Sequence, residues 1–309
     1  MKDISHFESL YENCKLCPRG CGVNRQLGNK GVCMESSDIY VSRAALHMWE
    51  EPCISGNEGS GSVFFSGCNL HCVFCQNRNI SNGNSGKHIT IERLADIFLE
   101  LQAKKANNIN LVTATHYIPS VLKAAEIARK HGLNIPFVYN SSGYETKETI
   151  RLLDGTVDIF LPDFKYINSN TATLFSKAPD YPDYAMSAID EMVKISPKPI
   201  FDDRGIMIKG VIVRVLVLPE HTNEAIKIVR YLHEKYADQI YISIMSQYTP
   251  LADSIPEGKE YASLKRSLTK REYEKVIAAT LDAGVTNAFF QDGKVDLESF
   301  IPAFDNEGV

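Results

Sequence analysis

The chain has 309 residues, 44% of them hydrophobic and 23% charged, with a formal net charge of -5. That length suits one large α/β domain with a small appendage, and the acidic balance argues against a basic surface for nucleic acid or for anionic membrane. The start, MKDISHFESLYENC, lacks a basic segment followed by an apolar run, and no stretch approaches the roughly 18 apolar residues of a membrane span, so a cytoplasmic location is expected.

Residues 1–58 are dense in Cys and Gly with little periodicity, which predicts a small module held together by metal rather than by its own core. All eight cysteines fall within the first 75 residues. A reducing compartment discourages disulfides, so this crowding points to clusters or metal ions. Four of them, in Cys14-x2-Cys17-Pro18-Arg19-Gly20-Cys21-x11-Cys33, form a set that either a structural zinc or an iron–sulfur cluster would accept. Cys53 stands alone and reads as a small hydrophobe.

From 59 to 292 the pattern changes. Short apolar runs (SVFFSG, INLVTAT, IPFVYN, VDIFLPDF, VIVRVLVL, IYISIMS and TNAFF) alternate with amphipathic stretches such as IERLADIFLELQAKKA, PSVLKAAEIARKHG, NEAIKIVRYLHEKYA and REYEKVIAATLDAG. Near-continuous apolar strands separated by helices predict βαβ units on a buried parallel sheet, in number suiting a partial or complete (β/α) TIM-like barrel. In such a fold the chemistry gathers where strands end. Asp203-Arg204-Gly205 reads as a hairpin turn within 198–210, the segment 247–268 is polar, and the tail 293–309 carries no pattern.

After the first of these strands comes Ser66-Gly67-Cys68-Asn69-Leu70-His71-Cys72-Val73-Phe74-Cys75-Gln76-Asn77-Arg78. Three thiolates at these spacings wrap one loop around an iron–sulfur cube, and with no fourth cysteine nearby one iron stays open to a substrate. The competing readings are a zinc site completed by His71 and buried, unligated cysteines. Arg214 lies inside the apolar run VIVRVLVL, where a guanidinium must find an anion. Met245 reads as core, and His221 as a helix start.

The Cys-x3-Cys-x2-Cys loop, with an aromatic before its last cysteine, resembles the signature of the radical S-adenosylmethionine (SAM) superfamily. Together with Gln76-Asn77-Arg78 and the Cys-Pro-Arg-x-Cys module, it is similar to the pyruvate formate-lyase activating enzymes and their uncharacterised relatives. The resemblance implies a radical SAM barrel in which Cys68, Cys72 and Cys75 carry catalysis by holding a [4Fe-4S] cluster. The open iron binds S-adenosylmethionine, whose reductive cleavage gives a 5′-deoxyadenosyl radical in an oxygen-sensitive, anaerobic enzyme.

It further implies cofactor contacts at Phe74 and Asn77, at Ser142 in the turn Asn140-Ser-Ser142-Gly143-Tyr144, at the Asp163-Phe-Lys165 strand end, and at Arg214 toward the cofactor carboxylate. The family's Gly-Gly-Glu is replaced by Thr113-Ala-Thr115-His116, leaving Thr115 to take the methionyl ammonium and His116 to face substrate with Gln247 and Tyr248. Expected partners are a flavodoxin- or ferredoxin-type reductant and a glycyl-radical enzyme whose glycine loses the hydrogen. The alternatives are direct action on a small molecule or a modified macromolecule, and a non-catalytic iron–sulfur or zinc protein.

Overall fold

The computed structural model describes residues 7–83, 85–251, 255–291 and 302–309. Its main element is a sheet built from β1 (Ile39–His47), β2 (Ser60–Phe65), β3 (Lys87–Ile89), β4 (Ile109–Val112), β5 (Phe137–Ser141), β6 (Ile159–Pro162), β8 (Met207–Leu216), β9 (Tyr241–Met245) and β10 (Ala288–Phe290), with β7 (Ile200–Phe201) paired to β8. The spatial order is β10-β9-β8-β6-β5-β4-β2-β1-β3. From β2 to β10 the strands are parallel and follow one another without reversal. Sequential order of this kind belongs to a barrel rather than to a doubly wound sheet, whose order reverses at a switch point. The ends do not pair among the described residues, so the barrel is partial.

Buried strands of continuous apolar character are covered on their outer face by α3 (Ile91–Ala103), α4 (Ile118–Lys130), α7 (Tyr181–Ile195), α8 (Thr222–Tyr236) and α9 (Lys270–Asp282). Two starts carry side-chain caps, since Thr90 accepts from the Arg93 N–H ahead of α3 and Thr269 with Glu272 forms a capping box on α9, while α4 and α7 begin on a proline in the first turn. The short helices α2 (Arg78–Ser81), α5 (Lys147–Leu152) and α6 (Ser169–Ser176) follow the three-cysteine loop, β5 and β6 in turn. The expected hairpin is present, with Ile200 opposite Lys209 and Gly205 at φ 77° in its turn.

The region expected as the Cys-rich module divides in two. Its second half joins the sheet, because β1 runs antiparallel to β2 and the helix α1 (Pro52–Ser55) enters the amino end of the barrel. There Cys53 and Ile54 pack on Val138, Ile159, Leu161 and Ile212, while the Asn108 amide donates to the Ile54 carbonyl. The alternation that marks β1 is weak because both of its faces are partly covered. Residues 302–309 also return to β1, with the Ala44 N–H on the Glu307 carbonyl at 2.8 Å. No helix of the described residues is long and apolar enough to cross a membrane.

Candidate active site

The loop after β2 turns at Gly67, whose φ is 84°. A Cβ there would lie 2.5 Å from Glu35 Cγ and 2.6 Å from the Cys33 carbonyl, so only glycine fits. The three following cysteines lie near one another. Burial pushes the Cys68 thiol up to about 12, and the charges of Cys75 and Cys72 add to it. Three thiolates buried together are costly without cationic compensation, and the loop already offers donors to sulfur: the Leu70 N–H at 3.4 Å from Cys68 Sγ and the Ser176 hydroxyl at 3.2 Å from Cys72 Sγ. This donor set fits a metal cluster.

His71 does not complete it. Its φ is 55° and its Nε2 meets the Val32 carbonyl at 2.8 Å, facing the N-terminal segment. Among the described residues no group of three or more His, Cys, Asp or Glu is arranged to hold a single metal ion, whereas the corners of a cube do not require thiols to converge on one point.

Above the three cysteines lies a cavity of about 220 Å³, bordered by the carboxyl ends of the parallel strands: Phe65, Val112, Asn140, Asp163, Leu216 and Met245. Phe74, Asn77, Ser142, Lys165, Arg214, Gln247 and Tyr248 line it as well. Phe74 is buried edge-on against Tyr166, Phe175 and Tyr248. Tyr248 presents its ring, since its hydroxyl is spent on the Leu264 carbonyl.

Two expected contacts fall elsewhere. Thr115 bonds Tyr139 at 2.8 Å and donates to Glu145 at 3.0 Å, beneath the cavity and not on its wall. His116 is buried with Nε2 on the Ser66 carbonyl at 2.7 Å, and burial pulls its pKa down to about 3, with the Arg25 charge adding to the effect. Neither faces the cavity. The reason is the single residue Thr113, at φ 59°, which turns the chain so that Thr113 itself reaches the cavity and the next residues pass behind it.

Arg214 has found its anions inside the protein. Nε donates to Asp163 at 2.8 Å, Nη1 to Glu50 at 3.3 Å and Nη2 to Asn140 at 2.6 Å. Lys165 donates to the other Asp163 oxygen at 2.5 Å. Burial pushes the Asp163 carboxyl upward, but Arg214 and Lys165 outweigh it and hold the group below its ordinary value. Burial likewise raises Glu50, against the pull of Arg214. Glu50, with His47 and Trp49 on the same cavity wall, comes from the connection after β1, and no spacing in the sequence marked it. Glu145 was equally hidden: it is fully buried, accepts from Thr115 and Ser141, and burial lifts its carboxyl to about 7.

The four N-terminal cysteines also come together. Burial raises Cys17 to about 12, reinforced by Cys33, Cys14 and Cys21, and Gly31 lies between the sulfurs of Cys21 and Cys33.

A parallel partial barrel with an open three-cysteine loop beneath a strand-end cavity defines a class, and the comparison agrees with it. Residues 62–232 match the Radical SAM superfamily, and the chain belongs to that superfamily and is an enzyme of its type. Membership implies S-adenosylmethionine and a [4Fe-4S] cluster. The uncharacterized protein MJ0674 of Methanocaldococcus jannaschii is 32% identical over 279 residues, which are 87% of this chain and 75% of that one. Among solved structures, SuiB of Streptococcus suis bound to the precursor peptide SuiA aligns at 11% identity and TM-score 0.49, over 74% of this chain and 47% of its own. SuiB bound to S-adenosylmethionine aligns at 14% and 0.47, over 74% and 49%. The chain thus spans about half the length of these SuiB chains.

Proposed function

We propose that the chain activates a glycyl-radical enzyme, using a [4Fe-4S] cluster held by Cys68, Cys72 and Cys75. The observation that carries this reading is the gathering of three loop thiols under a strand-end cavity while His71 turns away to the Val32 carbonyl. When bound, the cluster would supply the one-electron chemistry for reductive cleavage of S-adenosylmethionine, by which the glycyl hydrogen would be taken.

The protein's residues position and exclude. Lys165 spends one N–H on Asp163, stands near Cys72 and Cys75, and would hold the methionyl carboxylate. Arg214, with one bond from each nitrogen to Asp163, Glu50 and Asn140, would fix Asp163 from behind. Thr113, in place of Thr115, would take the ammonium. Phe74, Asn77 and Ser142 would border the adenosyl group, and Gln247 and the Tyr248 ring the substrate end. Phe74, Tyr166 and Phe175 pack into an aromatic wall beside the partly exposed thiols and would limit the approach of water from that side. A flavodoxin- or ferredoxin-type protein would deliver the electron. Of the two occupants expected for Cys14, Cys17, Cys21 and Cys33, a single zinc ion is disfavoured because the thiols do not converge on one point, and they would hold a second cluster.

The second reading is direct action on a small molecule. It rests on the replacement of Gly-Gly-Glu by Thr113-Ala-Thr-His and on a cavity wall supplied by His47, Trp49 and Pro302 from outside the family-matched span.

Anaerobic reconstitution followed by S-adenosylmethionine and dithionite should yield 5′-deoxyadenosine, lost when Cys68, Cys72 and Cys75 are all alanine. A loaded cluster that yields none overturns both readings. Added glycyl-radical enzymes of the source organism should acquire an EPR-visible glycyl radical; 5′-deoxyadenosine without that signal selects the small-molecule reading.

A further inference from the structure

The Cys-Pro-Arg-x-Cys motif contains one residue that the function above does not use. Arg19 lies between Cys17 and Cys21, its backbone held in a turn in which the Gly20 N–H donates to the Cys17 carbonyl at 3.0 Å. Its side chain leaves the N-terminal segment and ends on two other elements. Nε donates to the Asn69 carbonyl at 3.0 Å and Nη2 to the Leu70 carbonyl at 3.3 Å, both between Cys68 and Cys72. Nη2 also donates to the Ser176 carbonyl at 2.9 Å and Nη1 to the Lys177 carbonyl at 2.6 Å, at the carboxyl end of α6. The guanidinium carbon stands 5.3 Å from the Tyr144 ring centroid.

These contacts converge on the thiol loop. Ser176, whose carbonyl Arg19 holds, donates its hydroxyl to Cys72 Sγ at 3.2 Å. Asn69, whose carbonyl Arg19 also holds, donates its amide to the Tyr144 carbonyl at 2.7 Å and accepts from the cavity residue Ser142 at 3.5 Å. A helix end leaves orphan carbonyls, and a fixed cationic fork satisfies them together with the loop's. Two further bonds run from the N-terminal segment to the same loop: the Cys68 N–H to the Cys33 carbonyl at 3.3 Å and His71 to the Val32 carbonyl.

We propose that Arg19 is a positioning residue for the radical site: anchored between two thiols of the N-terminal set, it transmits the filled state of that set to the Cys68–Cys75 loop, which grips its cluster firmly only when the set is filled. The inference rests on the reading that this loop holds the cluster. Charge-assisted bonds of this kind are strong enough that losing even one should be readable as about a tenfold effect.

The test uses anaerobically reconstituted full-length protein. The loop cluster is followed by the part of its reduced EPR signal that changes on adding S-adenosylmethionine, and its loss to the iron(II) chelator ferrozine is timed. Arg19→Gln should lose that signal about ten times faster than wild type, Arg19→Lys should fall between, and Cys17→Ser with Cys21→Ser should match Arg19→Gln. In a chain whose Cys68, Cys72 and Cys75 are alanine, Arg19→Gln should leave the metal content of the N-terminal set unchanged, which separates positioning from unfolding. Wild-type kinetics in Arg19→Gln or in the double serine variant overturns the proposal, as does loss of N-terminal metal in Arg19→Gln. If wild-type protein shows no S-adenosylmethionine-responsive signal, the reading of the thiol loop fails first, and the coupling with it.

Discussion

Glu145→Gln should remove a pH dependence from the stability of this protein. The carboxyl is fully buried, its two oxygens accept from Thr115 and Ser141, and its pKa is lifted by burial, against those two bonds, from 4.5 to about 7. A shift of about 2.5 units corresponds to about 3 kcal/mol. The folded state keeps its proton while the unfolded chain releases it, so stability falls as pH rises from about 4.5 to about 7 and is level above that. Glutamine accepts one hydroxyl and donates to the other but carries no proton to lose. Denaturant unfolding of wild type and Glu145→Gln between pH 4.5 and 8 should therefore show the variant gaining about 3 kcal/mol on wild type across the window, other titrating groups cancelling in the difference. Wild type at pH 6 should also show the infrared carbonyl band of a protonated carboxylic acid that the variant lacks. A stability difference that does not change with pH would refute the reasoning.

Asp163→Asn strands Lys165 and Arg214 without their shared carboxylate, and removing one partner of a buried pair should lower the unfolding free energy by about 3–5 kcal/mol, measured by denaturant titration. Gly143→Ala places a Cβ 2.2 Å from the Asp163 carbonyl at a φ of 75°, and should cost about 2 kcal/mol or more in thermal unfolding. His71→Ala should keep its cluster iron and its 5′-deoxyadenosine yield, because the ring serves the Val32 carbonyl; zinc in the wild-type loop that is lost in this variant would contradict that.

Local chemistry made part of this molecule legible without coordinates. Cys68, Cys72 and Cys75 are neighbours along the chain, so their spacing already sets which atoms meet, and the apolar runs that became β2, β4, β5, β6, β8 and β9 announce a buried parallel sheet through composition alone. Helix starts such as Thr269 with Glu272 are equally local.

Contacts between distant segments were decided only by the fold. Thr115 and His116 carry plausible side chains at a strand end, yet one left-handed residue, Thr113, turns them away from the cavity, and backbone handedness is invisible in a threonine. Glu50 meets Arg214 across 164 positions, and Arg19 reaches Ser176 across 157. Such pairings depend on the order of strands in the sheet and the entry of α1 into the partial barrel. A motif read along the chain holds information about groups that share a turn; which charge finally answers which is settled where separate turns are pressed together.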